Sequence, residues 1–149
     1  MKKFAIATLV SLAAIAAGAA EVGVTVNHDT VGADRSGLGL TVGQKFGAVG
    51  VTAGVESFTK GANNLQRYSL VGSYDVAKLG SATVAVKAGA AYLNNQVGSN
   101  GYAAVAGVGV SVPVAAKVNA VVGLTNQQGR NNVRALNGNT VTAGLTYSF

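Results

Sequence analysis

The sequence predicts an all-β protein, a transmembrane antiparallel up-and-down β-barrel of eight strands. Three observations carry this reading. Apolar and small polar residues alternate through most of the chain after residue 20, the side-chain period of strands with two unlike faces. Only 11% of the residues are charged, against about a quarter in soluble domains. Mean hydropathy is positive, yet no apolar run after the N-terminal one reaches the about 20 residues of a membrane helix, so strands must carry the apolar surface.

The N-terminus sets the compartment. Met1-Lys2-Lys3 is basic, residues 4–17 are apolar or small apart from Thr8 and Ser11, and Ala17-Gly18-Ala19-Ala20 offers small residues for cleavage. This is the three-part layout of a secretory signal peptide, too short and Ala-rich for a membrane anchor. Residues 1–20 are expected to be removed after Ala19 or Ala20, leaving 21–149 as one barrel domain. The chain has no Cys, so the exported product carries no disulfide framework. Of the formal net charge of +6, two units belong to Lys2 and Lys3. The remaining basic residues are scattered, with no helix-turn-helix or aromatic-basic stripe, which argues against nucleic acid.

The strands follow in order. Val22, Val24 and Val26 alternate with Gly23, Thr25 and Asn27; after a polar stretch over 29–36, Leu38, Leu40 and Val42 alternate with Gly39, Thr41 and Gly43. A short break at 44–47 leads to Val49, Val51, Ala53 and Val55 opposite Gly50, Thr52, Gly54 and Glu56. Beyond a polar loop at 59–64, the fourth strand sets Tyr68, Leu70, Gly72 and Tyr74 against Arg67, Ser69, Val71 and Ser73. A tight connection at 77–80 precedes the fifth, with Val84, Val86, Ala88, Ala90 and Tyr92 on its apolar face. After a loop at 94–100, Tyr102, Ala104, Ala106, Val108 and Val110 mark the sixth. Pro113 opens a turn over 113–117, where a missing N–H costs least. Val118, Ala120, Val122 and Leu124 make the seventh strand, and 126–137 is the longest loop. The eighth reads TVTAGLTYSF, with Val141, Ala143, Leu145, Tyr147 and Phe149 on one face.

Long polar loops and short turns therefore alternate strictly, the layout of an outer-membrane barrel with short periplasmic turns and longer external loops. Each short turn carries one lysine, Lys45, Lys78 or Lys117, read as an interface anchor or as a plain solvated charge. Tyr68, Tyr92 and Tyr102 form an aromatic band at the loop ends; Tyr74, Tyr147 and Phe149 form one at the turn ends, with Phe46 beside them. Two aromatic bands around an aliphatic middle suit a bilayer with two interfaces. The competing arrangement is a soluble lipocalin-like barrel with the apolar face inward. It would leave Gly, Thr and Ser in water with few charges.

With the small polar face inward, three charges point into the lumen: Glu56, Arg67 and Lys87. Glu56 and Arg67 lie symmetrically about the loop at 59–64, which predicts an ion pair across the hairpin, with Lys87 nearby. Such a pair either satisfies itself, since an unpaired charge in a confined lumen is costly, or forms a constriction gate. Most other inward residues are small, with Phe58 and Leu93 the only sizeable fillers identified, so the interior is expected to be underfilled and to hold water or flatten.

With its signal peptide, alternating strands and terminal Tyr147-Ser148-Phe149, the chain resembles the small eight-stranded outer-membrane proteins: the OmpX-like, opacity-like and OmpA-type transmembrane barrels. The resemblance implies a Gram-negative cell outer membrane and a monomer. It further implies that Val141, Leu145, Tyr147 and Phe149 act as a signal read by the barrel-assembly machinery. Two enzyme groups share this architecture, lipid A deacylases and lipid A palmitoyl transferases. The His-x-Ser pair of the deacylases is broken here, because His28 is followed by Asp29 and Thr30. A transferase-like set of His28, Asp34 and Ser36 would need a base held in hydrogen-bond reach of its nucleophile. No catalytic residues, cofactor or metal site are therefore expected, there being no Cys or His cluster. Arg35, Lys60, Arg130 and Arg134 are candidate contacts to lipopolysaccharide phosphates. The expected role is non-catalytic, structural or surface-interacting. The alternatives are a narrow porin-like channel for water, ions or very small solutes and, more weakly, a lipid A-modifying enzyme.

Overall fold

Alternation is what the backbone realises. The computed structural model describes residues 21–30, 35–60, 63–95 and 100–149; the signal segment 1–20 lies outside the described residues. Eight strands follow in order: β1 Glu21–Asp29, β2 Arg35–Phe46, β3 Val49–Lys60, β4 Asn63–Leu79, β5 Ala82–Asn95, β6 Gly101–Ala115, β7 Val118–Gly129 and β8 Gly138–Ser148. Each pairs antiparallel with its neighbour in the chain, and β1 pairs with β8 to close the barrel. Closure leaves no open strand edge.

The large apolar residues stand outside. Val24, Leu40, Leu70, Leu124 and Leu145 are about half-exposed on the outer wall, while Thr25, Asn27, Arg67 and Thr140 are buried within. This inverts a soluble core and excludes the lipocalin-like arrangement. Phe46 also stands outside, joining the turn-end aromatics. In that band Tyr147 and Phe149 meet edge to face at 5.3 Å, with the Lys117 ammonium 5.9 Å above the Tyr147 ring.

The strands run further than alternation alone suggests. The hairpin turns shrink to two residues, 47–48, 80–81 and 116–117. Gly47 and Gly80 take positive φ of 64° and 63°, as primed hairpin turns require at their first central position. Pro113 does not open a turn: β6 continues to Ala115, and its register with β7 shifts between Pro113 and Ala115. A bulge tolerates the missing N–H as well as a turn does. A second shift falls between Asp75 and Ala77. The expected loop over 126–137 is also shorter, since Asn126 and Gln127 still pair with Asn139 and Gly138.

So narrow a barrel needs inward glycines where backbones crowd. A Cβ at Gly107 would strike the β7 backbone at the Leu124 carbonyl and Thr125 Cα, whereas at outward Gly72 it would meet nothing nearer than 3.7 Å. Overpacking costs about 1–3 kcal/mol and more against backbone. Gly107→Val is expected to abolish most of the heat-modifiable, folded band on detergent gels, and Gly72→Ala to leave it unchanged. Equal folding of the two would refute the close-approach argument.

Candidate functional site

The hairpin register builds the centre of the lumen. Glu56 on β3 and Arg67 on β4 are direct partners, both face inward, and both side chains are about nine-tenths or more buried. Arg67 Nε donates to Glu56 Oε2 in an ion pair. The guanidinium then reaches across the barrel. Arg67 Nη1 donates to Thr140 Oγ1 at 3.0 Å on β8 and to Gln127 Oε1 at 3.4 Å on β7. In a closed ring of eight, β8 lies opposite β4, so this arginine is a crossbar rather than a local pair. Thr140 Oγ1 in turn donates to Asp29 Oδ1 at 2.5 Å. Gln127 Nε2 donates to the Leu136 carbonyl at 2.8 Å. Below it, Asn27 accepts from Thr142 and donates to Thr25. The side-chain groups named here are thereby paired, while Arg35 Nε, on the strand partner of Asp29, is buried without a hydrogen bond among the described residues.

On the loop side of the crossbar the lumen is packed with side chains. Phe58, Leu65, Leu93 and Val133 are at most 2% exposed and cluster with Ala91, Ala103 and Val105. The Phe58 ring lies 4.9 Å from the Arg67 guanidinium carbon, a cation–π distance. Val133 belongs to a short 3-10 turn, Asn131–Leu136, that folds back over the mouth. A Cβ on Gly101 or Gly129 would intrude on its side chain, so these glycines make room for it. The expectation of an underfilled interior is wrong for this half. Leu65 was legible as the next inward position before Arg67, but Val133 enters from a loop and has no periodic signal.

The turn side is different. Cavities of about 160 and 120 Å³ share Glu21, Thr52, Ser73 and Lys87 in their linings. Glu56 lines the larger cavity together with Lys87, and the Lys87 chain runs over Gly109. Lys45 faces the lumen: it pairs with Asp75 at 2.6 Å at the turn-side opening of this vestibule. The lumen is thus a polar vestibule from the turns to the crossbar and a plug of packed side chains above it.

Solved structures similar to this chain are transmembrane barrels. The N-terminal β-barrel domain of Pseudomonas aeruginosa OprF matches at a TM-score of 0.66 and 18% identity, over 89% of this chain and 99% of that one. Neisserial surface protein A matches at 0.62 and 15% identity, over 87% and 94%. The fold is that of the small eight-stranded outer-membrane barrels. A de novo designed transmembrane β-barrel matches at 0.58 and 18% identity, over 89% and 96%. No protein-family model and no curated protein matches the sequence.

The remaining candidates are dispersed around the small barrel. Arg35 is a correction: β2 begins there, its parity with Gly37 turns it inward, and it is 7% exposed, so it cannot meet lipopolysaccharide from outside. Arg130 and Arg134 are exposed; the Lys60 side chain and Asp34 lie outside the described residues. Val141, Leu145 and Tyr147 face outward and Phe149 is exposed. His28 and Ser36 are cross-strand partners on β1 and β2, with Nδ1 and Oγ 3.0 Å apart on the outer wall. Sequence spacing within one loop hid this contact, which arises from register. It supplies a base and a hydroxyl, while the neighbouring carboxylate Asp29 faces inward to Thr140. Among the described residues no three His, Asp or Glu are grouped as metal ligands would be.

Proposed function

We propose that the protein is a non-catalytic integral barrel of a Gram-negative outer membrane, with a structural or surface-interaction role. Its turns and the paired ends of β1 and β8 face the periplasm, and its loops face outward. The observation that carries this reading is the blocked lumen: an apolar plug above an arginine crossbar that joins opposite walls. The outer-membrane barrels it resembles in fold support the location. Val141, Leu145, Tyr147 and Phe149 serve as the signal read by the assembly machinery, consistent with their exposed, alternating placement on the closing strand.

A plugged barrel conducts nothing. Reconstituted into planar bilayers, the folded protein is expected to give no discrete conductance steps at moderate voltage. The second reading, a narrow channel, rests on the polar turn-side vestibule and needs both the crossbar and the 3-10 turn to move. Regular steps from wild-type protein would replace the first reading with the second. Mass analysis of lipid A from cells making the protein tests the enzyme reading, with an unchanged acylation pattern expected.

A further inference from the structure

Most of the outer wall is a continuous aliphatic surface, but one patch departs from it. On β5 and β6 the outward positions between the loop-end tyrosines and the valines are alanines, with Ala90 paired to Ala104 and Ala88 to Ala106. Next to them, β7 turns amides outward: Gln128 is partnered with Ala104 and Asn126 with Ala106. The result is a groove of about 640 Å³ on the outer face near the loop ends. Ala90, Ala104 and the exposed ring of Tyr102 form its apolar wall, and Gln128, Arg130 and Asn132 its polar one.

Both walls fit an amphiphile. Small side chains leave depth where Val and Leu elsewhere would fill it. Amides on a lipid-facing wall must be satisfied, and part of that is internal: Gln128 Nε2 donates to Asn126 Oδ1, and Asn126 Nδ2 to Asn139 Oδ1, each at 2.8 Å. The Arg130 side chain makes no hydrogen bond or ion pair among the described residues and is exposed at the rim. An unpaired guanidinium there is complementary to a phosphate. The neighbouring amides match sugar hydroxyls and acyl-amide groups, which a plain phosphatidyl headgroup offers sparingly.

We infer that this groove binds a phosphorylated glycolipid of the lipopolysaccharide class, its phosphate at Arg130 and an acyl chain along Ala90 and Ala104. The inference rests on the proposed orientation, loops toward the outer leaflet. The test is native mass spectrometry of the full mature chain, folded in detergent, with diphosphorylated lipid A, dephosphorylated lipid A or phosphatidylglycerol.

One diphosphorylated lipid A per barrel is expected. Its apparent affinity should fall about tenfold in Arg130→Ala, the loss of one charge-assisted contact, and similarly in Ala104→Phe, which fills the trough. Dephosphorylated lipid A should lose the same factor against wild type. Unchanged affinity in both variants, equal binding of phosphatidylglycerol, or a chain dimer in place of the lipid adduct would each overturn the site. Heat-modifiable migration of every variant shows that the barrel is intact. A folded barrel without lipid A overturns the site alone, and a chain that never folds in detergent overturns the reading beneath it.

Discussion

Glu56→Ala is expected to destabilise the barrel by about 3–5 kcal/mol, the cost of leaving a buried charge without its partner. Arg67 would keep Thr140 and Gln127, both neutral, while the Phe58 ring covers one side of it. The reverse change should cost less. After Arg67→Ala, Glu56 still lines the turn-side cavity, which Lys87 also lines, so solvent and a second cation are within its surroundings. Urea titration of the folded, heat-modifiable fraction in detergent measures both. A double variant, Glu56→Ala with Arg67→Ala, should recover most of the loss, because neither member of the pair is then left buried without its partner. The coupling is a pairwise term that a double-mutant cycle isolates. Equal, small effects of the two single changes would mean that water reaches the pair freely, and the crossbar would not seal the lumen.

Phe58→Ala is expected to cost about 3–5 kcal/mol, the range for truncating a buried aromatic with only partial collapse around it. The ring is fully buried and sits between the crossbar and the residues packed beneath the mouth. Its loss also removes the cation–π contact to Arg67. The outer-wall control is Leu38→Ala. Leu38 is 65% exposed and touches lipid or detergent in the folded barrel, so its truncation should cost only a small part of that. A comparable loss at the two positions would show that the loop-side cluster is not a packed core. Planar-bilayer recordings add a second readout: Phe58→Ala combined with Val133→Ala should stay silent while the crossbar holds, and should introduce conductance flicker once Glu56→Ala and Arg67→Ala are added.

Much of the architecture was legible because lipid imposes a period of two. Alternation placed Val24, Leu70 and Leu145 outside and Thr25, Ser69 and Thr146 inside, and the hairpin symmetry about 59–64 put Glu56 opposite Arg67. Strand ends were less legible. Asn126, Gln127 and Gln128 read as loop by composition, yet they stay in β7, where side-chain amides bond across to Asn137, Asn139 and the Leu136 carbonyl. Pro113 read as a turn, because a bulge leaves no mark distinct from one.

By itself, then, the sequence determined the class of fold, the face that meets lipid, the strand count and the Glu56–Arg67 ion pair, all consequences of local period and of short-range symmetry. Only the tertiary structure decided what the lumen is. Closing β8 onto β1 brought Thr140 and Asp29 within reach of an arginine from the opposite wall. It also let a 3-10 turn drop Val133 into a mouth lined by Leu65, Leu93 and Phe58. Those contacts join residues far apart in the chain, across a space that exists only once the ring is shut, and no periodicity records them.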